Sequence, residues 1–173
     1  MSAQQPVDTL DYQTSLLILS YLTQELLQEL PPEERAIIQS SGEARNAILA
    51  FLHTTGVPTY QLESREFLAE DEELEQQSID TLKLLLNDEA VKPKAEKLVE
   101  TPPEEAQMSV EIAVAGTIIL ATLVTWLQTK VSLKVSREKG ITSFKFEIKK
   151  DSMNAEGIKD IAQKIIALLI SVH

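Results

Sequence analysis

Residues 110–127 read VEIAVAGTIILATLVTWL. No charged side chain falls between Glu111 and Lys130, which leaves an uncharged window of 18 residues at 112–129. A segment of this kind is either the central helix of a folded domain or a membrane anchor. A hydrocarbon core of ~30 Å calls for about 20 apolar residues, so the window sits at the short limit for a span. Thr117, Thr122, Thr125, Gly116 and Gln128 dilute it further. The flanks are acidic before it (Glu104, Glu105, Glu111) and basic after it (Lys130, Lys134, Arg137, Lys139). A spanning helix would therefore keep its C-terminal side in the cytoplasm and send a large acidic segment across the membrane. Residues 1–10 have neither the basic start nor the apolar stretch of a signal peptide. The expectation is a helix covered by protein: by the elements that follow it and by a second copy or a partner. The alternative is a single-span anchor, with membrane association through residues 110–129.

The residues after this segment alternate. VSLKVSR sets Val131, Leu133 and Val135 against Ser132, Lys134 and Ser136, and TSFKFEIKK sets Phe144, Phe146 and Ile148 against Lys145, Glu147 and Lys149. Glu138-Lys139-Gly140 supplies a turn between them, so the pattern predicts an antiparallel hairpin with one buried face. Ile158, Ile161, Ile165, Leu169 and Val172 recur at helical spacing and predict a last helix over about 154–172. A two-stranded hairpin is marginal alone and exposes two unpaired edges, so association with itself or with another protein is expected.

Upstream, leucines at 16, 17, 19, 22, 26, 27 and 30 predict a first helix over about 10–29, capped by Asp8 or Thr9 and ended by Pro31-Pro32. A second helical region follows to Gly56, with Ser41 as a cap within it. A third helix is expected from the acidic run at 70–75 to about Asn87, giving three helices packed on their leucine faces. A short strand is expected at 59–62 and a short helix at 94–99. The three prolines at 93, 102 and 103 mark a linker. The predicted organisation is α+β: an acidic helical region at 1–88, a Pro-rich linker at 89–109, and a helix-strand-strand-helix module at 110–173.

Composition narrows the function. The 173-residue chain has a formal charge of -11, which opposes nucleic-acid binding, where lysine and arginine must neutralise phosphates. The charge is uneven: residues 1–129 carry 7 basic and 22 acidic side chains, net -15, and residues 130–173 carry 9 and 5, net +4. There is no cysteine, hence no disulfide, thiol nucleophile or cysteine-bound zinc. The five glycines are scattered, so no phosphate loop is present, and no H-E-x-x-H or G-x-S-x-G motif occurs. The acidic run 70–75 lacks the spacing and glycine of a calcium loop. His53 precedes a helix stop, and the other histidine is His173. No catalytic, metal or cofactor residue is assigned. The chain reads as a non-enzymatic, cytoplasmic interaction or adaptor protein; a membrane-anchored regulator and an enzyme without a recognisable motif are the alternatives. The residues expected to carry the interaction are Ile112, Gly116, Ile119, Leu123 and Trp126 on the apolar helix and Val131, Leu133, Val135, Phe144 and Phe146 on the hairpin.

A very apolar helix ending in Trp126-Leu127, a Val/Leu-alternating strand, a glycine turn, a second strand and a closing helix resemble the effector-associated constant component family. Those are small proteins of bacterial conflict systems that accompany variable effector and NTPase modules. The residues that carry the resemblance are Ala115-Gly116, Leu120, Leu123, Trp126-Leu127, Val131, Leu133, Val135, Gly140, Phe144, Phe146 and Ile148, over about 108–170. The resemblance implies a non-catalytic partner or adaptor.

Overall fold

The computed structural model describes residues 7–35, 40–59, 71–103, 112–148 and 155–169. These form six helices and one antiparallel hairpin, an α+β architecture. The order is α1 (Tyr12–Glu29), a 3-10 turn (Pro32–Glu34), α2 (Ser41–Thr55), α3 (Asp71–Leu86), α4 (Lys92–Glu100), α5 (Ile112–Gln128), β1 (Val131–Glu138), β2 (Ile141–Ile148) and α6 (Ala155–Leu169).

Local chemistry sets the helix ends. Asp11, rather than Asp8 or Thr9, caps α1: its carboxylate accepts the Thr14 N–H at 2.7 Å. That hydrogen bond holds the Asp11 carboxyl below the usual carboxylate range. At the other end Leu30 turns extended ahead of Pro31, and the Arg35 guanidinium donates to the carbonyls of Gln28 (3.3 Å) and Leu30 (2.8 Å). Ser40, one residue before the expected cap, begins α2 by accepting the Glu43 N–H at 3.1 Å. Gly56 closes that helix in the left-handed region, with φ 77°. Pro93 sits in the first turn of α4, where its missing N–H costs nothing. Thr59 lies outside any strand, and the rest of the expected strand at 59–62 falls outside the described residues.

The apolar helix is central, and its cover is a correction to the expectation. α5 packs against α1, α2 and α3. From Ile119 to Gln128 every residue but the partly exposed Ala121 is buried: Ile119, Leu123, Val124 and Leu127 are fully enclosed, and Thr122, Thr125 and Gln128 are buried with them. A helix apolar all round needs several neighbours, and one small sheet cannot enclose it. The crossing with α1 carries a hydroxyl pair, Thr23 Oγ1 to Thr122 Oγ1 at 2.8 Å. Both hydroxyls also sit on backbone carbonyls one turn back, Leu19 for Thr23 and Ile118 for Thr122, each at 2.7 Å. Thr122, one of the residues that weakened the segment as a lipid anchor, is therefore a contact to another helix. α5 has 17 residues, and among the described residues no helix is long and apolar enough to cross a membrane.

The hairpin takes the expected register, with Val131 opposite Ile148, Leu133 opposite Phe146 and Val135 opposite Phe144. Its inner face rests on α2, where Phe51 and Phe146 meet edge to face at 5.4 Å between ring centres. The last helix lies on α2 and α3. There the buried Gln77 amide of α3 donates to the Leu168 (3.4 Å) and Leu169 (3.2 Å) carbonyls of α6. One continuous cluster of buried side chains joins all of these elements, from Val7 to Leu169.

Lys139 (φ 52°) and Gly140 (φ 77°) make the hairpin turn, both with positive φ. This is the two-residue geometry whose twist matches the strands. A side chain at Gly140 would meet no neighbouring atom, so the cost of Gly140→Ala is purely the left-handed backbone. The variant is expected to lose about 1–2 kcal/mol in urea denaturation, with an unchanged slope.

Candidate interaction surface

Most of the residues expected to carry an interaction lie inside the chain's own core. Ile119, Leu123, Trp126, Val131, Leu133 and Phe146 are at most 6% exposed. Gly116, Val135 and Phe144 are half-buried, and the Ile112 side chain lies outside what is described. The accessible part of that set is the far half of the hairpin, around the Val135–Phe144 pair.

The outward face of the hairpin is built by alternation. With Val131, Leu133 and Val135 turned to the core, Ser132, Lys134 and Ser136 face away, opposite Glu147, Lys145 and Ser143. Lys134 and Lys145 are direct cross-strand partners, an arrangement that like charge disfavours. Glu147 offsets it by meeting the Lys134 ammonium at 3.4 Å and the Lys145 ammonium at 3.5 Å. The hydrogen bond and charge of Lys134, reinforced by Lys145, hold the Glu147 carboxyl below its ordinary range. It therefore stays ionised through neutral pH. Both lysines remain well exposed. At the tip Ile141 is 71% exposed, the one large apolar side chain in that state among the described residues.

Each strand of this small sheet has one edge that pairs with no other strand among the described residues. The sheet has two strands, so each is an edge among the described residues. The two-residue turn makes Glu138 and Ile141 a hydrogen-bonded pair. By alternation, the backbone groups of Leu133, Val135, Thr142 and Phe144 point away from the partner strand. No family of known proteins, no curated protein and no solved structure matches this chain. The surface has to be read from its own chemistry.

That surface is basic on a protein whose remainder is acidic. The hairpin is anchored to the acidic part by Arg137, whose guanidinium donates to both carboxylate oxygens of Glu43 at 3.1 and 3.2 Å. Lys130 and Asp88 make the corresponding bond at the base of α5. Asp88 also accepts the Trp126 indole N–H at 2.6 Å and the Ala90 N–H at 3.0 Å. Burial alone would raise the Asp88 carboxyl; the Lys130, Trp126 and Ala90 hydrogen bonds outweigh it and set the carboxyl below its usual range. These two ties are how the uneven charge distribution is used within the fold.

The histidine at the end of α2 shares a hydrogen bond with a hydroxyl, His53 Nε2 to Thr59 Oγ1 at 3.0 Å. Among the described residues no group of three histidine or carboxylate side chains could hold a metal ion. Sequence reasoning missed Asp88, whose role depends on Trp126 and Lys130 far along the chain. The only local sign was a carboxylate just past a helix end. The lysines facing out from the hairpin were visible in the alternation.

Proposed function

We propose that this protein is a non-catalytic adaptor that binds another protein by strand addition to its basic hairpin. The favoured partner is an extended, acidic segment. The observation that carries this reading is the hairpin itself: strand edges that pair with no other strand among the described residues, outward Lys134 and Lys145, and an exposed apolar tip at Ile141. Main-chain pairing at a free edge supplies affinity, and the side chains along it supply selection. An acidic strand laid beside β1 or β2 would place carboxylates near lysines whose charge is only half offset by Glu147. The resemblance to the constant component of conflict systems supports the same non-catalytic role.

The test uses a ten-residue peptide alternating Glu and Val. It is expected to slow amide hydrogen exchange at Leu133, Val135, Thr142 and Phe144, less so as salt rises. Lys134→Glu/Lys145→Glu should remove the effect while leaving the fold intact, since both side chains are exposed. Equal protection by a peptide alternating Lys and Val, or no protection by the acidic one, would refute strand addition of this kind.

A further inference from the structure

An apolar pocket of about 190 Å³ opens between the end of α2, the base of the hairpin and the first turns of α6. Phe51, Val131, Phe146 and Ile158 form its apolar walls, and Thr54, Thr55, Glu147 and Lys159 its rim. The size is informative, because an apolar protein cavity of about 150 Å³ accommodates benzene. This one fits a ring or a chain of roughly six carbons.

The rim decides what the other end of such a molecule would be. The Thr54 and Thr55 hydroxyls already donate to the Ala50 (2.9 Å) and Leu52 (2.7 Å) carbonyls of their own helix. They have no proton left to offer. The Glu147 carboxylate is held by Lys134 and Lys145. Lys159 is exposed and makes no ion pair among the described residues, so its ammonium is the uncommitted donor at the mouth. Lys134, Lys145 and Lys159, set against Glu147 and the exposed Glu156, leave this end of the molecule net positive. The first turns of α6 add the positive end of a 15-residue helix.

We infer that this pocket binds a small amphipathic monocarboxylate, with its aliphatic or aryl part among Phe51, Val131, Phe146 and Ile158 and its carboxylate at Lys159. This goes beyond the hairpin reading and does not depend on it, because the strand edges are not part of the pocket wall. A ligand seated here would touch the hairpin base and two helices at once, so it would also stiffen the platform on which the hairpin stands.

Hexanoate, hexanamide and hexylammonium share one chain and differ in the head, so they separate the two halves of the claim. Hexanoate is expected to shift the Val131 and Ile158 methyl resonances saturably, with a dissociation constant in the millimolar range or tighter. An exposed ion pair is worth a modest amount, so hexanamide should bind about two- to fivefold more weakly, and hexylammonium more weakly still. Lys159→Gln should erase the preference of hexanoate over hexanamide and leave hexanamide unchanged. Thr54→Trp, at an exposed rim position, should block all three. The inference is overturned if hexanoate gives no saturable shift at these methyls, if hexylammonium binds as tightly, or if Thr54→Trp leaves binding unaltered.

Discussion

Leu22→Asp is expected to unfold the whole protein, hairpin included, and not only the N-terminal helices. Leu22 is fully buried on α1, the helix that crosses α5 at the Thr23–Thr122 pair. Removing a buried leucine side chain costs about 2–5 kcal/mol, and a carboxylate without a partner in the same place adds to that. Such a sum approaches the whole stability of a domain this size, about 5–15 kcal/mol. The loss propagates because β2 rests on α2, α6 rests on α2 and α3, and α5 rests on all three N-terminal helices. A hairpin without that platform is marginal in water. Amide exchange at Lys134, Lys145 and Glu147, whose N–H groups face the partner strand, should rise to the unprotected rate together with that of α1. Gln24→Asp, two positions along on the exposed side of α1, should stay within about 0.5 kcal/mol of the parent. Native protection in the hairpin of Leu22→Asp would show that the C-terminal half folds independently.

This dependence was only partly legible in the sequence. The alternation at Val131–Leu133–Val135 and Phe144–Phe146–Ile148 specified the register, because a two-residue turn at Lys139-Gly140 allows one pairing that puts both apolar sets on one face. The apolar run of α5 showed that a large surface must be covered, and hydrophobicity carries no address. Its cover comes from α1, α2 and α3, the first about a hundred residues earlier, and a polar contact to α1 is made by Thr122, which read locally as a minor interruption. Ile119, Leu123 and Trp126 were expected to serve self-association or a partner for the same reason: a side chain that must be buried looks alike whether its neighbour is in the same chain or another. Caps were displaced by a residue or a turn because alternatives were adjacent. Ser40 and Ser41 are equivalent on paper, and only the fold brings the Ser40 hydroxyl to the Glu43 N–H. The pocket at Phe51, Val131, Phe146 and Ile158 had no local signature, since it joins three distant segments.

The Asp88–Lys130 pair should show strong coupling and an acid-dependent contribution. Asp88 stands between α3 and α4, with its side chain 10% exposed, and Lys130 follows α5 at 14%. Its two carboxylate oxygens divide the work: Oδ1 takes the Ala90 N–H and shapes the turn into α4, and Oδ2 takes the Trp126 indole and the Lys130 ammonium. Asp88→Ala leaves a nearly buried ammonium and the buried indole N–H without their acceptor, so a loss of about 2–4 kcal/mol is expected. Lys130→Met leaves Asp88 with two of its three donors and should cost less, about 1–2 kcal/mol. The double variant removes both charges and should fall short of the sum by about 1–3 kcal/mol. The pH dependence follows from the depressed carboxyl of Asp88 in the folded protein. A group of this kind contributes stability above its unfolded pKa, about 3.9, and loses it as pH falls through the lower folded value. The stability gap between the parent and Asp88→Asn should therefore hold from neutral pH down to about pH 4 and then close. Strict additivity in the cycle, or a gap that persists unchanged to pH 2, would mean that Asp88 stabilises the α3–α4 turn as a neutral cap and that its charge on Lys130 contributes little.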